Sequence, residues 1–165
     1  MSIETVRTIP MEDFRQVLLG SLEEATTSVH GFFLDKGDSL FETLAPVTAV
    51  QASAPLGPGS GTIAAKVNHI RFYVDAVLAN AKAGAFIPVD WASSWAVETV
   101  TDEEWADLVA RLKATFAEFR QLASVNDQWP EPVLGGAFGV VIHTGYHLGE
   151  IRQALAYLRH TGEAS

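Results

Sequence analysis

Apolar residues recur at steps of three and four along four segments of the chain, and this spacing predicts four amphipathic helices. We expect these helices over residues 10–34, 62–81, 101–119 and 137–159. No segment sustains the alternation of apolar and polar residues that is typical of strands. The pattern therefore predicts an all-α fold.

Local signals fix some of the helix ends. Thr101 and Glu104 match a capping box, in which each side chain accepts a hydrogen bond from the other residue's backbone N–H. Thr8 is the expected N-cap of the first helix, whose opening turn would contain Pro10. The fourth helix is apolar on nearly every side, which predicts a place in the middle of a helical bundle.

Prolines and glycines separate the predicted helices. Residues 41–61 end in Pro-Leu-Gly-Pro-Gly-Ser-Gly, which disfavours regular structure; residues 84–100 are a second irregular stretch, and a break is expected between Pro130 and Gly136. A chain of 165 residues suits one domain with a substantial core. We therefore expect a single domain over residues 1–165, an up-down four-helix bundle with a long connection between helices 1 and 2.

The composition argues against several classes of function. The formal net charge is -9, with only 11 lysines and arginines, so phosphate backbones would be repelled and nucleic acid is not an expected partner. An acidic surface also disfavours anionic membranes. The chain has no cysteine, so the protein itself supplies no disulfide, no thiolate metal ligand and no thiol nucleophile.

The sequence also lacks the marks of a membrane or secreted protein. No stretch reaches the roughly 18 consecutive apolar residues that a spanning helix needs. The first ten residues lack the apolar centre of a secretory signal. We therefore expect a cytoplasmic protein with no membrane partner.

The most informative motif is His143-Thr-Gly-Tyr-His147. Residues four apart on a helix lie one turn apart on the same face, so both imidazoles can bind one metal ion. Two histidines are too few to hold a zinc-type ion tightly, and His69, inside the second predicted helix, is the best candidate for a third. Three neutral imidazoles would leave coordination positions open for water or substrate, as in catalytic sites.

The residues alone leave other interpretations open. Two histidines four apart occur by chance on many helices, and each can be a hydrogen-bonded core residue or a surface residue. The apolar surroundings of His143 and His147 favour a ligand, because burying an unpartnered imidazole costs free energy. His69 lies off the centre of its helix's main apolar stripe, so its burial requires a second packed face.

The segment Tyr146-His-Leu-Gly-Glu-Ile-Arg-Gln-Ala-Leu155, with His143 one turn earlier and a histidine in the second helix, resembles the DinB-like superfamily, which includes the YfiT-type proteins. The resemblance covers the helix order and most of the chain. It implies a four-helix bundle, often dimeric, that binds a divalent ion such as zinc, nickel or iron. The ligands it implies here are His69, His143 and His147.

One position departs from the family pattern. Where the family often has Arg-Gly-Gln-Ile, this chain has Leu148-Gly-Glu-Ile151, so the arginine is lost and Glu150 replaces a glutamine. Glu150 falls near His143 on the helical wheel and one turn past His147. Its carboxylate could orient a ligand imidazole, add a ligand or act as a general base, which makes it the candidate catalytic residue. The alternative is an ordinary helix glutamate paired with a nearby lysine or arginine.

Two glycines in the same helix also need an explanation. Gly145 and Gly149 cost up to about 1 kcal/mol each relative to alanine. They would either make room for a substrate near the metal or allow close contact between helices, and we prefer close contact.

The histidines and the resemblance together predict a metal-dependent enzyme acting on a small molecule. Two reactions fit: hydrolysis, or a transfer or isomerisation that uses an external low-molecular-weight thiol, as related bundles do. The alternatives are a non-catalytic, metal-binding, stress-associated bundle and a structural helical dimer whose histidines bind nothing. The expected partners are a small-molecule substrate and, from the resemblance alone, a second copy of the chain in a homodimer.

Overall fold

The structure is a computed structural model that describes residues 8–162. Four long helices, with two short helices and one 3-10 helix between them, make up its regular structure: α1 (Met11–Thr26), α2 (Leu40–Leu44), α3 (Ala49–Ser53), α4 (Ile63–Ala83), the 3-10 helix (Trp91–Trp95), α5 (Asp102–Val125) and α6 (Glu131–Thr161). No strand occurs within residues 8–162. The all-α prediction is confirmed.

One buried carboxylate ends α1 at Thr26 rather than at residue 34. Glu24 is fully buried, and its carboxylate accepts four hydrogen bonds, with N···O distances of 2.5–3.0 Å, from the backbone N–H groups of His30, Phe32, Phe33 and Leu34. These groups can reach Glu24 only if the chain folds back, so the helix cannot continue through them.

The predicted N-cap of α1 is wrong. Pro10 occupies the N-cap position, and no side chain among the described residues caps the helix. Thr8 lies two residues before it and is exposed. Glu12 and Asp13 lie in the first turn, where their negative charges favour the positive end of the helix dipole.

The connection between α1 and α4 contains more regular structure than the sequence predicted. It contains α2 and α3, each of which starts with a capping box, formed by Ser39 with Glu42 and by Thr48 with Gln51. The two short helices bury apolar residues against the core, namely Leu40, Leu44, Ala49 and Ala52. The predicted connection over residues 41–61 therefore contains helices that were not predicted, whereas the lack of regular structure predicted for its Pro- and Gly-rich end, residues 55–61, is confirmed.

α4 is the most enclosed helix. Thr62 caps its start by accepting a hydrogen bond from the Ala65 N–H at 3.1 Å, and Gly84 ends it in the left-handed conformation, with φ 62°. Residues 63–70 are all buried, because α3, α5, α6 and the 3-10 helix all contact α4. His69 belongs to this enclosed half.

α6 does not lie in the middle of the fold, so that prediction is wrong. It packs against α4, α1 and α2 on one side. On the other side it leaves large apolar side chains exposed, namely Phe138, Ile142, Tyr146 and Tyr157. The all-round apolar character of its sequence therefore reflects one buried face and one uncovered apolar face.

α5 begins as predicted, with the capping box of Thr101 and Glu104 present. α6 begins at Glu131, earlier than predicted, so the expected break up to Gly136 is wrong. Pro132 fits there because the N–H groups of a helix's first turn have no acceptor within the helix.

The buried apolar side chains form one cluster, to which all six α-helices contribute. α4 packs against α5 and α6, and α1 packs against the same two helices. Among residues 8–162, no helix combines the length and the apolar character that crossing a membrane requires.

Candidate metal centre

Three histidines from two helices converge at one point between α4 and α6. His143 Nε2 lies 3.1 Å from His69 Nε2 and 3.2 Å from His147 Nε2. One nitrogen from each of the three rings lies within 4.8 Å of the other two. The predicted convergence of His69 with the helix-borne pair is confirmed.

A hydroxyl group determines which ring nitrogen of His69 carries the proton. The Ser94 Oγ lies 2.7 Å from His69 Nδ1 and donates its own proton to the Trp91 carbonyl oxygen at 2.6 Å. Since that hydroxyl has only one proton, it accepts from His69. The His69 proton is therefore on Nδ1, and the lone pair of Nε2 points to the centre.

A carboxylate determines which ring nitrogen of His147 carries the proton. The Glu150 Oε2 lies 2.7 Å from His147 Nδ1, and the same oxygen accepts a hydrogen bond from Lys66 Nζ at 3.1 Å. An ionised carboxylate can only accept, so His147 donates from Nδ1 and also turns an Nε2 lone pair to the centre. Glu150 thus both orients a ligand imidazole and pairs with a lysine.

His143 lacks such a partner. Its Nδ1 is buried and has no hydrogen-bond partner among residues 8–162. The ring instead stacks on Tyr73, with centroids 4.0 Å apart and an interplanar angle of 13°. Packing rather than a hydrogen bond therefore sets the orientation of this ring.

Two of the three nitrogen separations are close to those expected around a divalent metal ion. A tetrahedral ion with metal–nitrogen bonds of about 2.0–2.1 Å holds its nitrogen ligands about 3.3 Å apart. The His143 Nε2 lies at 3.1 and 3.2 Å from two nitrogens that both present lone pairs. A proton on His143 Nε2 could form a hydrogen bond to one of these two nitrogens, whereas a metal ion can accept the lone pairs of all three Nε2 atoms.

Burial keeps the three rings neutral, which is the form that binds metal. Together with the neighbouring imidazoles, burial lowers the pKa of His69 to about 4 and the pKa of His143 to about 4. Burial also lowers the pKa of His147, although Glu150 opposes that shift. For Glu150, the bonds from His147 and Lys66 outweigh burial and lower the pKa, so the carboxylate is ionised at neutral pH.

Aromatic rings surround the imidazoles. Trp95 stacks on His69, with centroids 3.9 Å apart and an interplanar angle of 18°, and Tyr146 meets His147 edge-on at 4.9 Å. Trp91 lies 6.3 Å from His69, measured between centroids. Trp95 therefore covers one face of the His69 ring, and Tyr146 covers part of the His147 ring.

A cavity of about 1160 Å³ adjoins this ring of aromatics, and we call it the Glu150 cavity. Trp95, Lys66 and Glu150 form the wall nearest the histidines, and the remaining lining residues include Ser60, Gly149, Gln153 and Tyr157. The imidazoles themselves do not line it. Trp95 and Glu150 therefore connect the cavity to the histidines that they contact.

The preferred explanation of the two helix glycines is wrong for Gly149. A Cβ at Gly149 would meet no atom within 4 Å, and the residue lines the Glu150 cavity. At Gly145 a Cβ would make only an ordinary contact, 3.8 Å from Phe33. The close approach of α6 to α4 occurs elsewhere: a Cβ at Gly136 would lie 3.2 Å from Val77.

Two functional residues were not found from the sequence. Lys66 is the one charged residue of the buried segment 63–70, and a lysine in an otherwise uncharged helical stretch needs an acidic partner. That signal could have found it. Ser94 has no such signal, because its place depends on how the segment between α4 and α5 folds.

Comparisons of the chain with protein-family models, with curated proteins and with solved structures find no match. The geometry of the three histidines and their neighbours therefore carries the functional argument.

Proposed function

We propose that this protein is a metal-dependent enzyme that acts on a small molecule through a divalent ion held by His69, His143 and His147. The observation that carries the proposal is the pair of Nε2 lone pairs, on His69 and His147, that face a third Nε2 at 3.1 and 3.2 Å. A donor set of three neutral imidazoles suits zinc, nickel or iron.

A bound divalent ion supplies a Lewis acid, which lowers the pKa of a ligand water or thiol and polarises an electrophile. The protein's own contribution is orientation. Ser94 and Glu150 hold two imidazoles by hydrogen bonds, and such contacts typically change metal affinity 10- to 100-fold.

Glu150 is the proposed catalytic residue. Its Oε2 is occupied by His147 and Lys66, while its side chain is 33% exposed and lines the Glu150 cavity. A molecule in that cavity can reach the carboxylate and exchange a proton with it. The cavity volume of about 1160 Å³ suits a small-molecule substrate.

Two reaction classes remain within the proposal. One is hydrolysis, and the other is transfer or isomerisation with an external low-molecular-weight thiol. The chain has no cysteine, so any thiol must come from the co-substrate. The non-catalytic alternative is favoured by the enclosure of the centre, where His69 and His147 are only 9% and 5% exposed.

Metal analysis of protein prepared without a histidine tag tests the metal site. We expect about one divalent ion per wild-type chain, and we expect His143→Ala to lose most of it while keeping the helical circular dichroism signal. The matched control is His160→Ala, an exposed histidine on the same helix, which should keep its metal. Stoichiometric metal in His143→Ala would contradict the assignment.

An activity panel separates the two enzyme classes from the alternative. Metal-loaded protein is assayed against esters and amides, and against electrophiles with and without low-molecular-weight thiols. Activity that Glu150→Gln abolishes at a metal concentration that fully loads the variant would support the enzyme proposal. Full metal loading with no turnover in either panel would favour the non-catalytic bundle.

We propose further that the four long helices form an up-down bundle of the DinB-like type and that two copies associate. The support for the bundle is that α4 and α1 each pack against both α5 and α6. The support for the family is the HxxxHxGE motif on α6 together with the third histidine on α4.

A further inference from the structure

The orientation of His143 needs an explanation that hydrogen bonding does not give. Ser94 and Glu150 orient the other two imidazoles, whereas the buried Nδ1 of His143 has no partner among residues 8–162. Apart from the approach of its Nε2 to the other two histidines, the closest ring contact of His143 is the parallel stack on Tyr73 at 4.0 Å. The position of the Tyr73 ring therefore determines where His143 can point.

Tyr73 lies across a gap in α6 that a glycine provides. A Cβ built on Gly139 would lie 2.3 Å from the Tyr73 hydroxyl oxygen, 3.4 Å from its Cζ and 3.8 Å from its Cε1. Real Cβ atoms essentially never lie within 3.0 Å of another heavy atom, so a side chain at position 139 requires the Tyr73 hydroxyl or the helix around it to shift. Gly139 also lies one helical turn before His143 on the same helix.

The Tyr73 ring has little room to move without disturbing its neighbours. One face stacks on His143, and Trp91 lies 5.9 Å away, measured between ring centroids. The ring is half-buried between α4 and α6, where side chains are close-packed. A shift of the hydroxyl end would therefore change the stack of the Tyr73 ring on the imidazole.

We propose that Gly139 and Tyr73 are positioning residues for the metal ligand His143. Gly139 leaves the space that the Tyr73 hydroxyl occupies, and the Tyr73 ring then holds the imidazole with its Nε2 directed at His69 and His147. This inference rests on the proposed metal site, and it assigns the two residues a role in metal affinity rather than in contact with a substrate.

Two alanine substitutions on the same helix separate positioning from helix stability. Alanine in place of a helical glycine stabilises the helix, and this gain applies equally to Gly139→Ala and Gly149→Ala. We expect Gly139→Ala to weaken zinc binding about tenfold or more in chelator competition. Gly149→Ala, whose Cβ meets nothing within 4 Å, should bind zinc as the wild type does.

The rescue variant is Tyr73→Phe, because it removes the atom that the new Cβ would strike. In Gly139→Ala/Tyr73→Phe the nearest remaining ring atom is Cζ at 3.4 Å, an ordinary contact. We expect the double variant to regain zinc affinity to within about threefold of Tyr73→Phe alone. The visible absorption spectrum of the cobalt-substituted protein should change in Gly139→Ala and return in the double variant.

Equal zinc affinity in Gly139→Ala, Gly149→Ala and the wild type would overturn the inference, and so would a failure of Tyr73→Phe to restore affinity. If Gly139→Ala does not fold, Tyr73→Leu removes the stacked ring without a clash, and the same loss of affinity is expected. If the wild type binds no metal, the proposed function fails. Ring-current shifts of the His143 protons then still test whether Gly139 positions Tyr73.

Discussion

Three different contacts hold the three imidazoles. His69 gives its Nδ1 proton to a hydroxyl, His147 gives its proton to a carboxylate, and His143 is held by stacking. A carboxylate acceptor raises the basicity of the metal-binding nitrogen. We therefore expect His147 to be the strongest ligand and His143 the weakest of the three.

Glu24 shows how one buried charge shapes the chain outside the metal centre. Burial alone would raise the pKa of its carboxyl group, but four backbone N–H donors outweigh that effect and lower the pKa from 4.5 to about 2. A depressed folded-state pKa stabilises the fold at pH values above the unfolded pKa. That stabilisation is lost as the pH falls from about 4.5 to about 2.

We predict that Glu24→Gln destabilises the protein by about 3 kcal/mol at pH 7, because a neutral amide cannot accept all four N–H groups and leaves buried donors unpaired. Its free energy of unfolding should also depend less on pH between 4.5 and 2 than that of the wild type. Urea unfolding followed by circular dichroism across this pH range measures both effects.

The control is Glu23→Gln on the same helix. Glu23 is partly exposed and makes only long ion pairs, at 3.4 Å to Arg120 and 3.6 Å to His30, so its loss should change stability by less than about 1 kcal/mol. Equal effects of the two substitutions would show that the buried carboxylate is not special.

At the residue scale, helical periodicity was enough to predict which site residues of α6 share a face. His143 and His147 share a face because they are four apart, and Glu150 follows His147 by three residues on the same face. The stack of Tyr73 on His143 and the hydroxyl of Ser94 were beyond reach, because each depends on the distance between separate segments.

Among the elements, the 3-10 helix Trp91–Trp95 is short, yet several of its residues contact the metal centre. Asp90 caps it by accepting from the Ala92 N–H at 3.1 Å, and the buried Asn68 side chain donates to the Ser94 carbonyl oxygen at 2.8 Å. These bonds place the Ser94 hydroxyl at His69. A segment that looks irregular in the sequence thus orients a metal ligand.

We predict that Ser94→Ala raises the zinc dissociation constant 10- to 100-fold, because His69 Nδ1 loses its acceptor. The backbone bond from Asn68 does not involve the Ser94 side chain, so the 3-10 helix should persist. Chelator competition measures the affinity, and thermal unfolding of the metal-free protein measures the remaining stability.

The matched control is Ser93→Ala in the same 3-10 helix, where the hydroxyl is exposed and, among residues 8–162, bonds only the Asp90 carbonyl oxygen, at 2.8 Å. It should leave zinc binding unchanged. The role of Ser94 would be refuted by equal dissociation constants for the two variants.

The four long helices could be predicted from the sequence, but only some of their ends could. The capping box at Thr101 fixed the start of α5 because the signal lies within four consecutive residues. The end of α1 depends on Glu24 meeting N–H groups up to ten residues later, which no local pattern reveals. α6 starts early because its prolines lie at the N-terminus, where they are tolerated.

Within the described part of the chain, one face of α6 exposes large apolar side chains. Between Pro132 and Tyr157, its most exposed positions are uncharged, and its two charged side chains, Glu150 and Arg152, are partly exposed and ion-paired, although the chain has a formal net charge of -9. Two acidic copies would meet with least repulsion through this face, and the same face on both copies suits a two-fold dimer. This is the surface through which we expect the homodimer to form.

We predict that the wild type has twice the chain mass of 17.8 kDa by light scattering and that Ile142→Glu is monomeric, because it places a charge on a 68% exposed residue in the middle of this face. Val50→Glu, at a 67% exposed residue on α3, is the control and should remain dimeric. A monomeric wild type at micromolar concentration would rule out this dimer.

The central claim concerns one ion and three rings, and anomalous X-ray scattering tests it most directly. Crystals of tag-free protein supplied with zinc or nickel are measured above and below the absorption edge of the metal. We predict one strong anomalous peak, from an ion whose bonds to the Nε2 atoms of His69, His143 and His147 are about 2.0–2.2 Å long. Density at other residues, or an ion that leaves His69 uncoordinated, would contradict the account.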